Sequence, residues 1–305
     1  MSDAGQPAVG EGWAYINGKL VPLRDARLHV ADAGFVYGAT VSDVLRSFGH
    51  RWFRFDDHLN RFLNSCRYVG ICLPYSRGEL TGLAQDLLAR APADAELGLV
   101  LLATPGTMAL YAGITEQHGL TAPATVVLHT FPLPRGRFRA LYREGIHLVV
   151  APQRQVPVDC WDPKAKCRSR LHWWLAQQYV RGIDPNAVPL LLDHQGNLTE
   201  SSAANVLLVI NGSVYCPSPE RILWGISLDT TANLCRRLGI RFETRPLQLY
   251  HVALADEIFL TNSLYSIAPV TRFSGRPVGE GTPGAVFRRL YEAWSELVGT
   301  PLADA

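Results

Sequence analysis

Three lysines, Lys19, Lys164 and Lys166, stand among 29 basic side chains, and the other 26 are arginines. A reaction that needs a side-chain amine therefore has few candidates. A tuned lysine amine attacks carbonyl carbon or carries a proton. Lys164 and Lys166 lie in CWDPKAKCRSRLHWWLA, just ahead of a helical pattern. The alternative for both is a solvated loop pair, because lysine avoids burial unless it is paired or reactive.

The stretches downstream favour chemistry. LLLDHQGNLTESSAANVLLV reads as a strand, a tight turn, then Thr199-Glu200-Ser201-Ser202 ahead of another strand. ILWGISLD sets Gly225-Ile226-Ser227 at the start of a helix, and FLTNSLYSIAPV ends a strand in Thr261-Asn262-Ser263. Each serine follows a bend where backbone N–H groups are exposed, an arrangement that holds phosphate. A lysine amine, one carboxylate and phosphate-binding turns are the parts of a pyridoxal phosphate site. No G-x-S-x-G, H-E-x-x-H, G-x-G-x-x-G or Walker loop occurs. The nine histidines are dispersed. His147, on an apolar strand, and His172, beside Trp173 and Trp174, read as structural residues. The six cysteines, at 66, 72, 160, 167, 216 and 235, form no C-x-x-C pair. No metal is expected, and free thiols in a reducing cytoplasm are.

The elements that must position these groups follow from the residue pattern. WAYINGKLVPL, residues 13–23, reads as a hairpin around Asn17-Gly18. Asp56 is expected to cap a helix over DDHLNRFLNSCRYVGI. There Leu59, Phe62, Leu63, Cys66 and Val69 make an apolar stripe at spacings of three and four. A second helix is expected over 76–90, and strands over 96–104 and 124–131. Residues 132–136, proline-rich and basic, read as an interdomain linker. That sets an N-terminal α+β domain at 1–131 and a C-terminal domain at 137–305. The second domain is expected to hold a strand over Ile146–Ala151, a helix over Arg170–Arg181 and strands at 188–193 and 204–210. A hairpin turn at Asn211-Gly212 follows, then a helix from Ser227 to Leu238, strands near 241–245 and 257–261, and a last helix over 283–298. Helices between mixed strands suit an α+β or α/β domain.

The whole chain sets outer bounds. Its 305 residues suit two domains. Apolar residues make up 48% and charged residues 18%, which excludes a disordered chain. The formal net charge of +2 leaves no electrostatic footprint for nucleic acid. No apolar run approaches the roughly 18 residues of a membrane helix. MSDAGQPAVGEG has no basic segment followed by an apolar stretch, so no signal peptide is expected.

Taken in order, the motifs resemble those of the class IV aminotransferases, fold type IV of the pyridoxal phosphate enzymes. That family includes branched-chain aminotransferase, D-amino acid aminotransferase and aminodeoxychorismate lyase. The resemblance runs from about Tyr15 to Trp294. It rests on the hairpin with its Asn-Gly turn, Tyr37-Gly38-Ala39-Thr40-Val41, and His58-Leu59-Asn60-Arg61. It continues with the lysine ahead of a helix reaching Leu175-Ala176, and with Thr199-Glu200-Ser201-Ser202-Ala203-Ala204-Asn205. Gly225-Ile226-Ser227 and the turn from Ser263 to Pro269-Val270 complete it. From Lys166 to Glu200 is 34 positions, the family spacing, whereas Lys164 would give 36.

The resemblance implies a two-domain α+β chain of fold type IV, pyridoxal 5'-phosphate as cofactor and a homodimer. It implies that Lys166 links to the cofactor's aldehyde and, once displaced by substrate, moves the proton between Cα and C4′. Glu200 would hold the pyridine nitrogen protonated. Arg61 would clamp the phosphate, with the Ile226 and Ser227 amides, the Ser227 hydroxyl and Ser263 as further donors. Leu223 would pack on the ring face. Tyr37 and the Leu264 amide would meet the substrate carboxylate.

Departures from the family fall on the substrate side. Where relatives read Val-Phe/Tyr-Glu, this chain has Val41-Ser42-Asp43, so an aromatic wall is missing. Where many relatives place an arginine near a strand end, it has Ala103-Thr104-Pro105-Gly106. The tyrosine that usually follows the lysine is replaced around Ser169-Arg170. The activity implied first is transfer of an amino group from an amino acid, branched-chain favoured, to a 2-oxo acid. A lyase of the aminodeoxychorismate type, and a relative that binds the cofactor without turnover, are the alternatives.

Overall fold

A computed structural model describes residues 12–114 and 116–305. The chain divides into two compact units. One comprises Met1–Leu133 with Ala165–Ser169, and the other Pro134–Lys164 with Arg170–Ala305.

In the first unit the elements are β1 (Trp13–Ile16), β2 (Lys19–Pro22), a short α1 (Ala33–Val36), β3 (Val41–Phe48) and β4 (Arg51–Trp52). Helices α2 (Phe55–Val69) and α3 (Arg77–Ala89) follow, then β5 (Leu97–Thr104) and β6 (Thr125–Pro132). The six strands pair antiparallel in the order β2-β1-β6-β5-β3-β4. Asn17 and Gly18 both have positive φ, 48° and 78°, as a type I′ hairpin turn requires. Helix α2 lays Leu59, Phe62 and Cys66 on one face of the sheet, against Val41, Leu45, Leu99, Leu101 and Leu128. Truncating a fully buried phenylalanine such as Phe62 costs about 3–5 kcal/mol. Successive strand residues point to opposite faces. Asp43 therefore lies on the face covered by α2, with Val41 and Leu45, while Ser42 lies on the other.

Helix α2 starts differently from expectation. Arg54 is its N-cap, in the left-handed conformation with φ 50°, and Asp56 lies within the first turn without capping it. The chain leaves β4 through Arg54 and turns directly into the helix, which moves the start one residue ahead of Asp56. Asp56 and Asp57 still favour the positive end of the helix dipole, and Asp57 accepts from Arg54 Nε at 2.7 Å. In α3 the expected start holds, with a capping box between Ser76 and Glu79.

The segment Ala165–Ser169 runs beside β3. Cys167 bridges Val41, the Ser42 N–H donates to Lys166 O, and the Arg168 N–H donates to Thr40 O. These bonds draw the five residues into the first unit, although their sequence neighbours on both sides belong to the second.

The second unit holds α4 (Arg135–Glu144), β7 (Ile146–Arg154), α5 (Leu171–Arg181), β8 (Val188–Leu192), β9 (Leu198–Ser201), β10 (Ala204–Ile210) and β11 (Ser213–Cys216). Then come α6 (Ile226–Arg237), β12 (Phe242–Thr244), α7 (Leu249–Ala253), β13 (Glu257–Asn262), β14 (Ser266–Phe273), β15 (Arg276–Pro277) and α8 (Ala285–Val298). The strand order is β12-β11-β10-β13-β14-β7-β8-β9, with β15 beside β14. Strand β9 also pairs with β10, so the path from β10 round to β9 closes on itself. Leu148, Leu190, Leu198, Val206, Leu260 and Ala268 belong to one apolar cluster of this sheet. Phe259 points to the opposite face, where Phe287 of α8 lies 6.4 Å away between ring centres.

Only Leu133 and Pro134 separate β6 from α4. Helix α4 buries just Phe138 and Tyr142, so its arginine-rich pattern carried little helical signal. Among the described residues no helix is long and apolar enough to cross a membrane.

Candidate active site

In the first unit the chemistry-bearing residues hang on β3 and α2. The Asp43 carboxylate is fully buried and grips Arg61 through two parallel bonds, Nε to Oδ2 and Nη2 to Oδ1, each 2.8 Å. This fork-to-fork geometry is the strong form of the pair. His58 lies three residues before Arg61, on the same side of α2, and its Nδ1 lies 2.7 Å from Asp43 Oδ1. Burial opposes the Asp43 charge, but Arg61 and His58 outweigh it and hold the carboxyl well below its ordinary range. Burial also dominates at His58 and lowers its pKa. Asp43 pulls it up, while the charges of Arg61 and Lys166 add to the lowering. Burial thus favours the neutral ring at His58, and the ionised Asp43 carboxylate is the acceptor of its Nδ1–H.

Lys166 is suspended between the same two elements. Its N–H donates to Ser65 Oγ of α2 at 3.1 Å, and its carbonyl accepts the Ser42 N–H of β3 at 3.0 Å. Ser65 Oγ in turn donates to Arg61 O at 2.8 Å. Both ends of the Lys166 peptide are thus fixed, and its side chain is half-buried. Lys164 is exposed in the other unit, with its Nζ 3.9 Å from Asp162. Lys19 is exposed on β2. Beyond Lys166, Arg168 Nε donates to Ser42 Oγ at 2.7 Å and Ser169 Oγ donates to Gly38 O at 2.8 Å. Tyr37, next to Gly38, is exposed. Thr104 is buried, and its hydroxyl accepts the Gly106 N–H at 3.2 Å.

In the second unit a polar row crosses the sheet. Glu200 of β9 pairs in register with Asn205 of β10, which pairs with Thr261 of β13. Directly opposed residues share a face. Asn205 Nδ2 donates to Glu200 Oε1 at 3.0 Å and to Leu223 O at 2.8 Å. A Cβ added at Gly225 would stand 2.3 Å from Asn205 Oδ1, so only glycine lets the chain pass so close. Gly225 is the N-cap of α6 and provides no side-chain cap, leaving the first turn with Ile226 and Ser227 at its head. Ser227 Oγ donates to Asn262 O at 3.0 Å. Asn262 Oδ1 accepts the Leu264 N–H at 2.7 Å. That amide, expected at the substrate, is engaged within its own turn. Among the described residues, the buried hydroxyls of Thr261 and Ser201 have no hydrogen-bond partner.

The first unit thus holds Lys166, Arg61 and Tyr37. The second holds Glu200, Leu223, Ile226, Ser227, Ser263 and Leu264. Asp43, His58, Ser65 and Asn205 escaped the reading of the sequence as working residues. Asp43 did leave a signal, because a carboxylate inside the apolar run VSDVL demands a buried partner. His147 is a structural residue: Nδ1 lies 2.8 Å from Asp184 Oδ2, and Nε2 accepts the Gly275 N–H at 3.0 Å. Among the described residues no three His, Cys, Asp or Glu side chains are grouped as a metal site needs.

The second unit thus presents a polar row on a closed strand path, and the first a lysine hung between a strand and a helix. The family model described as amino-transferase class IV matches residues 40–273. The chain belongs to that family. It is 28% identical over 287 residues to a Methanocaldococcus jannaschii protein provisionally named a branched-chain-amino-acid aminotransferase, covering 93% of this chain and 95% of that one. It is 25% identical over 279 residues to the D-alanine aminotransferase of Bacillus licheniformis, covering 91% and 94%. The crystal structure of the T.th. branched-chain amino acid aminotransferase complexed with N-(5'-phosphopyridoxyl)-L-glutamate superposes with a TM-score of 0.83. It is 25% identical and is covered to 94%, as is this chain.

Proposed function

We propose that this class IV aminotransferase uses pyridoxal 5'-phosphate to move an amino group from an amino acid, with branched-chain substrates favoured, to a 2-oxo acid. The suspended Lys166 carries the proposal, being the one lysine held at both ends of its peptide beside a buried arginine–carboxylate pair. The donor set fits the cofactor group by group, with an amine for its aldehyde, a guanidinium for its phosphate and a carboxylate for its pyridine nitrogen. The close approach at Gly225 and the unpartnered Thr261 hydroxyl on the Glu200 row add support. When bound, pyridoxal phosphate supplies an aldehyde and an electron sink for charge developing at the substrate Cα.

The chain's own residues then divide the work. Lys166 attaches the cofactor and, once freed, moves the proton between the substrate Cα and C4′. Glu200, steadied by Asn205, keeps the pyridine nitrogen protonated. Arg61, aligned by Asp43, holds the phosphate together with the amides of Ile226 and Ser227, the Ser227 hydroxyl and Ser263. Leu223 packs on the ring. Tyr37 and, if Asn262 releases it, the Leu264 amide serve the substrate carboxylate. We place the enzyme in the cytoplasm as a homodimer. In the first unit Val30, Phe35, Tyr37, Leu110 and Tyr111 are all more than half exposed, and α1 is hydrogen-bonded to the loop at Gly106. Such an apolar surface favours a partner, and sedimentation velocity checks the dimer. Glutamate formed from 2-oxoglutarate with a panel of amino donors tests the activity. Pyruvate released without an acceptor would instead indicate the lyase.

A further inference from the structure

We propose that Arg168 is the residue that binds a substrate carboxylate, and that Ser42 aims it. The inference rests on the aminotransferase reading and adds what that reading lacks, a cation for the acid group that donor and acceptor share. A carboxylate taken from water needs charge-assisted donors, and a guanidinium supplies them in a planar fork.

Several other polar and cationic places in the first unit are occupied. Thr104 offers a hydroxyl that already accepts from Gly106. Arg61 is gripped along its Nε–Nη2 edge by Asp43. Arg46 is buried over the Phe48 ring, and Arg54, Arg77 and Arg90 are paired with Asp57, Asp56 and Asp86. Arg168 differs from all of these. No acidic side chain among the described residues pairs with it, and the side chain is exposed. Its backbone is pinned to β3 by the bond from its N–H to Thr40 O at 2.7 Å. Its Nε is pinned by Ser42 Oγ, also at 2.7 Å. A guanidinium held through Nε presents Nη1 and Nη2 as a fork, and among the described residues neither bonds a protein atom.

The location is as telling as the geometry. Arg168 lies two residues beyond Lys166, and Ser42 is the residue whose N–H holds the Lys166 carbonyl. Ser42 lies on the face of β3 away from α2, in one row with Leu102 and Val127. A large side chain at position 42 would take the place of the Arg168 guanidinium and remove its acceptor. The small serine and the arginine therefore work together. They offer a cation beside an aliphatic strip, which suits an acid with an apolar body.

The test uses purified holoenzyme and two unreactive probes, isovalerate and glutarate, with affinity read by titration calorimetry. Arg168→Gln should weaken binding of at least one probe about 10- to 100-fold, as loss of a charge-assisted pair does. Arg168→Lys should fall between wild type and Arg168→Gln, and Ser42→Ala should weaken the same probe less. Borohydride reduction with peptide mapping runs in parallel, and every variant should keep its pyridoxyl-lysine. Unchanged affinity in Arg168→Gln overturns the proposal and leaves Arg168 as a tie between loop and strand. So does a wild type that binds neither probe, or loss of pyridoxyl-lysine in Arg168→Gln. A wild type without pyridoxyl-lysine defeats the aminotransferase reading itself.

Discussion

The clearest division of labour among single residues is between Lys166 and Glu200. Borohydride reduction of the holoenzyme should fix the cofactor on the peptide containing Lys166, and Lys166→Ala should abolish the label. A label on Lys164 or Lys19 would overturn the assignment. Glu200→Gln keeps the shape and the bond from Asn205 but cannot hold a pyridinium proton as a carboxylate does. Cofactor should stay bound by equilibrium dialysis while turnover drops about 10²–10³-fold, the scale of one lost electrostatic stabiliser. Near-normal turnover with cofactor bound would show that another group protonates the ring. These residues were legible because each sits in a motif of fixed spacing. Asp43 and His58 were not, because their partners come from separate elements. Asp43 is 15 positions from His58 and 18 from Arg61, and no local pattern announces a contact made by packing a helix on a strand.

At the scale of elements, the apolar strands β5, β6, β7, β8, β10 and β13 and the periodic helices α2, α3, α5, α6 and α8 were readable because each buries a continuous stripe. The pieces that escaped include the short or polar α1, α4, β9 and α7, and also two eight-residue strands, β3 and β14, whose polar residues interrupt the apolar pattern. Strand β9 spells Leu-Thr-Glu-Ser, a turn-like string, and becomes a strand only because β8 and β10 supply partners on both sides. The start of α6 shows how closely such elements are fitted. Replacing glycine by alanine usually gains about 0.4–1 kcal/mol through the unfolded chain. At Gly225, whose φ is an ordinary −71°, that gain competes with a Cβ only 2.3 Å from Asn205 Oδ1. Overpacking of that kind costs about 1–3 kcal/mol, so the clash wins. Gly225→Ala should lower the urea midpoint and, by displacing Asn205 from Glu200, weaken cofactor binding in dialysis. An alanine variant as stable and as tightly loaded as wild type would mean that the Asn205 amide is not what orients Glu200.

Across the whole molecule, the formal charge of +2 at neutral pH leaves little bulk repulsion there, and the buried titrating groups make specific contributions as pH falls. Burial is the first cause lowering the pKa of His58, His129 and His172, which lie in both units. A histidine whose folded pKa lies below its unfolded value of about 6.5 binds protons more readily in the unfolded chain. Its contribution is complete above that value and is lost as pH falls toward the folded pKa. Asp43 adds a second step. Burial opposes its charge, but Arg61 and His58 keep its folded pKa low, so its stabilisation is present above about 3.9 and is lost in stronger acid. Both signs agree: stability should rise with pH through the acid range and level off near neutrality. His58→Asn removes the titrating ring, yet its amide can still donate to Asp43 from the position of Nδ1. Urea midpoints measured between pH 8 and pH 2 should fall less steeply above pH 4 in that variant than in wild type, with the acid limb from Asp43 below about 3.9 retained. His172→Asn should flatten the curve less, because His172 is only half-buried and its charged form is partly hydrated. If the two variants change the slope equally, or His58→Asn leaves it untouched, the buried His58–Asp43 pair is not what couples this fold to pH.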